Sequence, residues 1–134
     1  MLDANVVVAG LRSSLGASHR LLGLMGTGRF VHVIAVALLF EYEAAVKRPE
    51  VGIGLPAAAV DDVLDYLCAA AERQQIFYLW RAVLRDPHDD LVLEVAVNGR
   101  CDRLITFNTR DFAGADRFGI AVETPASFVR SLRR

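Results

Sequence analysis

Short apolar runs alternate along this chain with longer segments whose apolar residues recur at helical spacing. This alternation limits the possible folds more than any other feature. Phe30 to Ala35, Ile76 to Trp80, Leu104 to Phe107 and Ile120 to Val122 have the length and composition of buried strands. Between them, Leu38, Tyr42, Ala45 and Val46 form an apolar stripe on a helix expected over Ala37 to Arg48, which Pro49 ends. After a loop from Gly52 to Leu55, Pro56 opens a second long helix, with Val60, Val63, Leu64, Leu67 and Ala71 on one face. Ser18 is placed to N-cap a helix through Met25, with Gly26 and Gly28 as its stop. Asp86-Pro87 reads as a turn, Asp89 to Val97 as a helix ending near Gly99, and Pro125 to Leu132 as a closing helix. The opening LDANVVVAGL allows two readings. In one, a strand ends at Asp3 and a turn and short helix follow. In the other, a strand runs through Val8. With either, the order of elements implies an α/β fold with a mainly parallel sheet.

Composition narrows the class. A chain of 134 residues, 54% hydrophobic and 23% charged, suits one globular domain spanning 1–134 and excludes a disordered one. A net charge of -1 excludes nucleic-acid binding by bulk charge, so any such role needs a local patch. Lys47 is the one lysine among 15 basic residues. Arginine suits bidentate phosphate contacts, and a GC-rich genome produces the same bias. Cys68 and Cys101 are too few for a disulfide framework and fit a reduced, cytoplasmic protein. Arg29, His32, Glu41 and Glu43 interrupt the best candidate membrane span, and the start lacks the pattern of a signal peptide.

In an open α/β sheet, ligands bind beyond the carboxyl ends of the strands. Acids recur at such places here. Asp3 is near the first strand, Glu41 and Glu43 follow the second, Asp89 and Asp90 open a helix, and Asn108 and Asp111 follow the Leu104 strand. Each alone has an ordinary explanation. Asp3 and Asp111 suit turn caps, Asp86 a turn, Asp89 and Asp90 a helix N-terminus, and the glutamates a solvated face. Together they suggest a site that needs a cation, because clustered carboxylates repel. Mg²⁺ or Mn²⁺ suits an all-oxygen donor set, and such ions serve phosphodiester hydrolysis. The chain lacks a glycine-rich dinucleotide or P-loop motif. His19, His32 and His88 make no zinc pattern with the cysteines.

LDANVVVAGL, LLFEYEAAVKRPE, RDPHDDLVLEVAVNGRCDRLITFNTRDF and GIAVETPASFV together resemble the PIN-domain ribonucleases. The likeness is greatest to the toxin components of bacterial and archaeal toxin–antitoxin pairs, and it covers nearly the whole chain. It implies a three-layer α/β/α domain that cuts RNA with Mg²⁺ or Mn²⁺, often as a homodimer neutralised by a cognate antitoxin. Asp3, Glu41, Asp89 and Asp111 then match the catalytic acids, with Asp3, Asp89 and Asp111 as metal ligands. Asn5, Asp90, Thr106 and Asn108 are in support. The family places an acid where this chain has Asn108, so Asp111 is taken as the acid and Asn108 as a neutral partner. Only Met1 and Leu2 precede Asp3, where the family has a longer apolar strand. Arg12, Arg48, Arg85, Arg103 and Arg110 are candidates to hold the RNA backbone.

Two other classes compete. A haloacid-dehalogenase-like phosphatase needs Asp-x-Asp and a late lysine. This chain has Asp3-Ala4-Asn5 and no lysine after Lys47, which also counts against a response-regulator receiver. A degenerate PIN domain that binds RNA or a partner without cutting is the non-enzymatic alternative.

Overall fold

Asp3 ends the first extended segment and starts the first helix. In the computed structural model, which describes residues 1–48, 53–73 and 87–132, Leu2 bridges to Ile105 in parallel. Ile105 N donates to Met1 O and Asp3 N to Ile105 O, both at 2.9 Å. Helix α1 then runs Ala4–Arg12, with Asp3 as its N-cap. Of the two readings of the opening, the strand ending at Asp3 is the one adopted. The β-branched run Val6 to Val8 is helical because capping by Asp3 starts the helix and Val6 and Val7 are wholly buried within it.

The remaining elements follow the expected alternation with shorter strands. Helix α2 is Ala17–Leu24, β1 is Val33–Ile34, α3 is Val36–Val46 and α4 is Ala57–Ala70. Strand β2 is Glu72–Arg73, α5 is Pro87–Asn98, β3 is Arg103–Ile105, β4 is Ala121–Glu123 and α6 is Pro125–Leu132. Two 3₁₀ turns, Thr109–Phe112 and Ala115–Phe118, lie between β3 and β4. The strands pair in parallel, Val33 with Glu72 and Ile34 with Arg73 on one side, and Arg103, Leu104 and Ile105 with Ala121, Val122 and Glu123 on the other. This is an α/β chain with small parallel pairings. The strand expected at Ile76 to Trp80, Pro49 and Asp86 lie outside the described residues.

Two expectations change here. Ser18 does not cap α2, because Gly16 holds the N-cap position and Ser18 lies one residue inside the helix, only 3% exposed. The Leu104 strand stops at Ile105, so Phe107 lies beyond it. Strand β2 is too short to leave a periodic signal. The core joins Leu21, Leu38, Leu67, Leu93, Leu104 and Phe112. Helix α5 packs on β1, β3 and α3. Gly99 permits part of that approach, since a Cβ there would meet Val33 Cγ1 at 2.5 Å. Its role is close packing, while the positive φ that follows the helix falls on Arg100 at 54°.

Candidate active site at the carboxyl end of β3

Asp3 is 9% exposed, and both of its carboxylate oxygens are engaged. Ala4 N donates to Oδ1 at 2.7 Å, and Thr106 Oγ1 donates to Oδ2 at 2.7 Å. Thr106 is fully buried directly after β3. Its hydroxyl also accepts from Asn5 Nδ2 at 3.3 Å and from Asn108 N at 3.1 Å. One donor and two acceptor positions are the whole capacity of a hydroxyl, and all three are used. Each carboxylate oxygen of Asp3 thus has a donor aimed at it. The strand-end expectation thus brings Asp3, Asn5, Thr106 and Asn108 into one hydrogen-bonded group at the carboxyl end of β3.

A buried aromatic pair supports this group. Tyr42 on α3 is fully buried, and its hydroxyl donates to the Leu2 carbonyl, the residue before Asp3. His32 Nε2 lies 3.2 Å from the same hydroxyl, and the two rings stack with centroids 6.1 Å apart. Burial raises the Tyr42 pKa well above the usual phenol range, and the charge of Asp3 adds to the rise. Burial likewise lowers the His32 pKa well below the usual imidazole range. Glu41 precedes Tyr42, so the helix that carries this half-buried acid is fastened to the strand end that carries Asp3. In the sequence, Tyr42 is part of an apolar stripe and His32 a histidine outside any zinc pattern, so neither pointed to this role.

Asp89 and Asp90 sit half-buried in the first turn of α5, where the helix dipole favours acids. Asp111 is exposed in the 3₁₀ turn that begins after Asn108, and that turn packs against α5. Glu43 faces Lys47 at 3.7 Å, one turn along α3. Among the basic candidates, Arg12, Arg48 and Arg110 are exposed. Arg103 starts β3, at the end away from Thr106, and its guanidinium meets Glu123 at 2.9 Å. Arg85 lies outside the described residues. A cavity of about 570 Å³ is lined by Arg29, Phe30, Val33, Cys101, Arg103 and Phe128. None of the candidate acids lines it.

The donor set is oxygen only and suits a hard divalent cation by its chemistry. Among the described residues, no three His, Cys, Asp or Glu side chains stand close enough to hold an ion together.

A sequence model of the PIN domain matches residues 1–110, most of the chain. The chain belongs to the PIN-domain family. The match covers Asp3, Glu41, Asp89, Thr106 and Asn108 and ends just before Asp111. PIN domains are nuclease-type folds that typically use divalent metals. No curated protein and no solved structure matches the chain. No described helix is long and apolar enough to cross a membrane.

Proposed function

We propose that this PIN domain is a metal-dependent endoribonuclease and the toxin of a toxin–antitoxin pair, working in the cytoplasm. The observation that carries the reading is Asp3, a buried carboxylate held by Ala4 N and Thr106 Oγ1 at the carboxyl end of a parallel strand. A carboxylate held in that way at a strand end is an oxygen ligand of the kind a hard divalent cation prefers. Residues 1–134 form a single domain in this reading, with helices on both faces of a central parallel sheet.

Asp3, Asp89 and Asp111 would hold Mg²⁺ or Mn²⁺. When bound, such an ion supplies an acidified water and charge for the leaving oxygen. Thr106 orients Asp3 by its hydroxyl, and Asn5 and Asn108 keep the Thr106 hydroxyl in place. Glu41 accepts the proton of the attacking water at its carboxylate. Asp90 is a neighbour that supports Asp89. Arg12, Arg48, Arg85 and Arg110 hold phosphates of the RNA, whereas the paired Arg103 at the far end of β3 is the weakest of those candidates. Exposed Val36 and Phe40, one turn apart on α3, support a homodimer, since a second copy would cover them. A cognate antitoxin is the further partner.

Cleavage of RNA by purified Asp89→Asn, Glu41→Gln and Glu43→Gln proteins, with matched circular dichroism, tests the assignment. The first two lose most activity. Glu43→Gln stays near the parent, because Glu43 points about 200° around the helix from Glu41 and pairs with Lys47. Equal cleavage by all three would defeat the reading. The non-cutting alternative draws on Asn108, a neutral residue where the family places an acid. It predicts RNA binding without cleavage at any metal concentration.

A further inference from the structure

Between the start of α2 and one face of α6 lies a cavity of about 510 Å³, lined by Leu15, His19, Arg20, Ala126, Val129 and Arg130 among others. Its charged lining is of one sign. It includes two arginines and a histidine, and no acid. Arg20 and Arg130 are exposed, and neither guanidinium has an ion-pair partner among the described residues, whereas Arg103 is tied to Glu123 at 2.9 Å. A concave surface lined by one sign of charge concentrates counter-ions. The walls are held in place. His19 Nδ1 lies 3.1 Å from Gly10 O, which fastens that ring to α1, and α2 packs on both α1 and α6. None of Asp3, Glu41, Asp89 and Asp111 lines this cavity.

Guanidinium groups match the paired oxygens of a phosphate, and two of them without a protein counter-charge are free to take one. Leu15, Ala126 and Val129 add apolar wall beside them, Leu15 being 95% exposed. The volume is that of a small-molecule site and exceeds what a bare phosphate fills. A phosphate with an uncharged, flat-faced body attached matches both halves of the lining. We infer that the cavity between α2 and α6 binds a phosphate carried on a nucleotide, with Arg20 and Arg130 as its anchors. The nucleotide is either free or part of an RNA strand, and the chemistry recognised is the same. The inference stands apart from the nuclease reading, because neither arginine serves cleavage or the RNA path assigned above.

The test is equilibrium dialysis of the full chain against radiolabelled AMP and, separately, a radiolabelled RNA decamer. EDTA is present throughout, so that binding through a metal at Asp3 does not contribute. Unlabelled inorganic phosphate displaces AMP, and adenosine, which lacks the phosphate, does not. Arg20→Gln and Arg130→Gln each weaken binding about tenfold or more, the equivalent of one lost charge-assisted contact. Arg117→Gln removes the same charge outside the cavity and changes binding by less than about twofold. Melting temperatures of the free variants match the parent, which separates lost binding from lost folding. AMP binding that falls in both cavity variants assigns the site to a free nucleotide. Binding of the decamer alone, with the same fall, assigns it to an RNA strand, and either result upholds the site. Parent-like binding by both cavity variants, an equal loss in Arg117→Gln, or displacement of AMP by adenosine overturns the inference. So does a parent that binds neither molecule in EDTA. Each of these leaves the nuclease reading standing, because that reading is tested by cleavage with metal present.

Discussion

Thr106 has its one donor and both acceptor positions occupied inside the protein, and three other groups depend on it. Thr106→Val keeps the shape and removes one hydrogen bond each from Asp3 Oδ2, Asn5 Nδ2 and Asn108 N. The expected cost is about 1–3 kcal/mol in urea denaturation, with Thr106→Ser close to the parent. His32 is a second residue with an exact hydrogen count. The Tyr42 hydroxyl donates to Leu2 O, so its oxygen accepts from His32 Nε2–H, and Nδ1 is left buried without a partner among the described residues. Protonation would place an N–H and a charge there. Burial lowers the folded-state pKa, so the unfolded chain takes up the proton first as pH falls. The stability contribution is then full above about pH 6.5 and shrinks as pH drops below it, toward the lower folded-state value. Denaturation midpoints of the parent and His32→Leu between pH 7.5 and 5 check this. The parent loses stability toward acid, and the variant, weaker at neutral pH, shows a shallower slope.

At the scale of elements, helices were more legible in the sequence than strands, for a physical reason. Helices α3, α4 and α6 carry apolar stripes or opening prolines over eight residues or more. Strands β1 and β2 have two residues each, too few for any period to show. The Val6 to Val8 run is ambiguous because its β-branched residues favour strands, while the Asp3 cap and inward burial favour a helix. Ser18 misleads because a capping residue type also tolerates burial inside a small helix–helix contact. There a Cβ on Gly10 would come within 2.6 Å of Leu22. Close contact is again decisive where α5 ends. Gly99→Ala forces its Cβ against Val33, which costs about 1–3 kcal/mol. Combining it with Val33→Ala recovers part of that loss, a non-additivity that thermal unfolding of the double variant measures.

Across the whole molecule, parallel pairing is what gathers chemistry from distant sequence. Leu2 beside Ile105 puts Asp3 against Thr106, 103 positions away in the chain. The sequence indicated Asp3, Asn5, Thr106 and Asn108 through their places at strand ends and through the likeness to PIN domains, and these four do meet. It offered no way to see the Tyr42–His32 support or the cavity that Arg20 and Arg130 line, because both depend on which way a helix face turns. Glu41, Asp89 and Asp111 lie on elements that adjoin the site, without forming a three-acid group among the described residues. Clustered acids repel, so a cation that draws them together should stabilise the fold. Millimolar Mn²⁺ should accordingly raise the melting temperature of the parent by several degrees, and that of Asp3→Asn by much less. The account as a whole depends on Asp3 acting through a metal. Its most direct test is cleavage of single-stranded RNA by the parent and by folded Asp3→Asn, each with Mn²⁺ and with EDTA. The account predicts cleavage by the parent only with Mn²⁺, and a loss of on the order of 100-fold or more in Asp3→Asn. Equal cleavage by the two proteins, or cleavage by the parent that persists in EDTA, would contradict it.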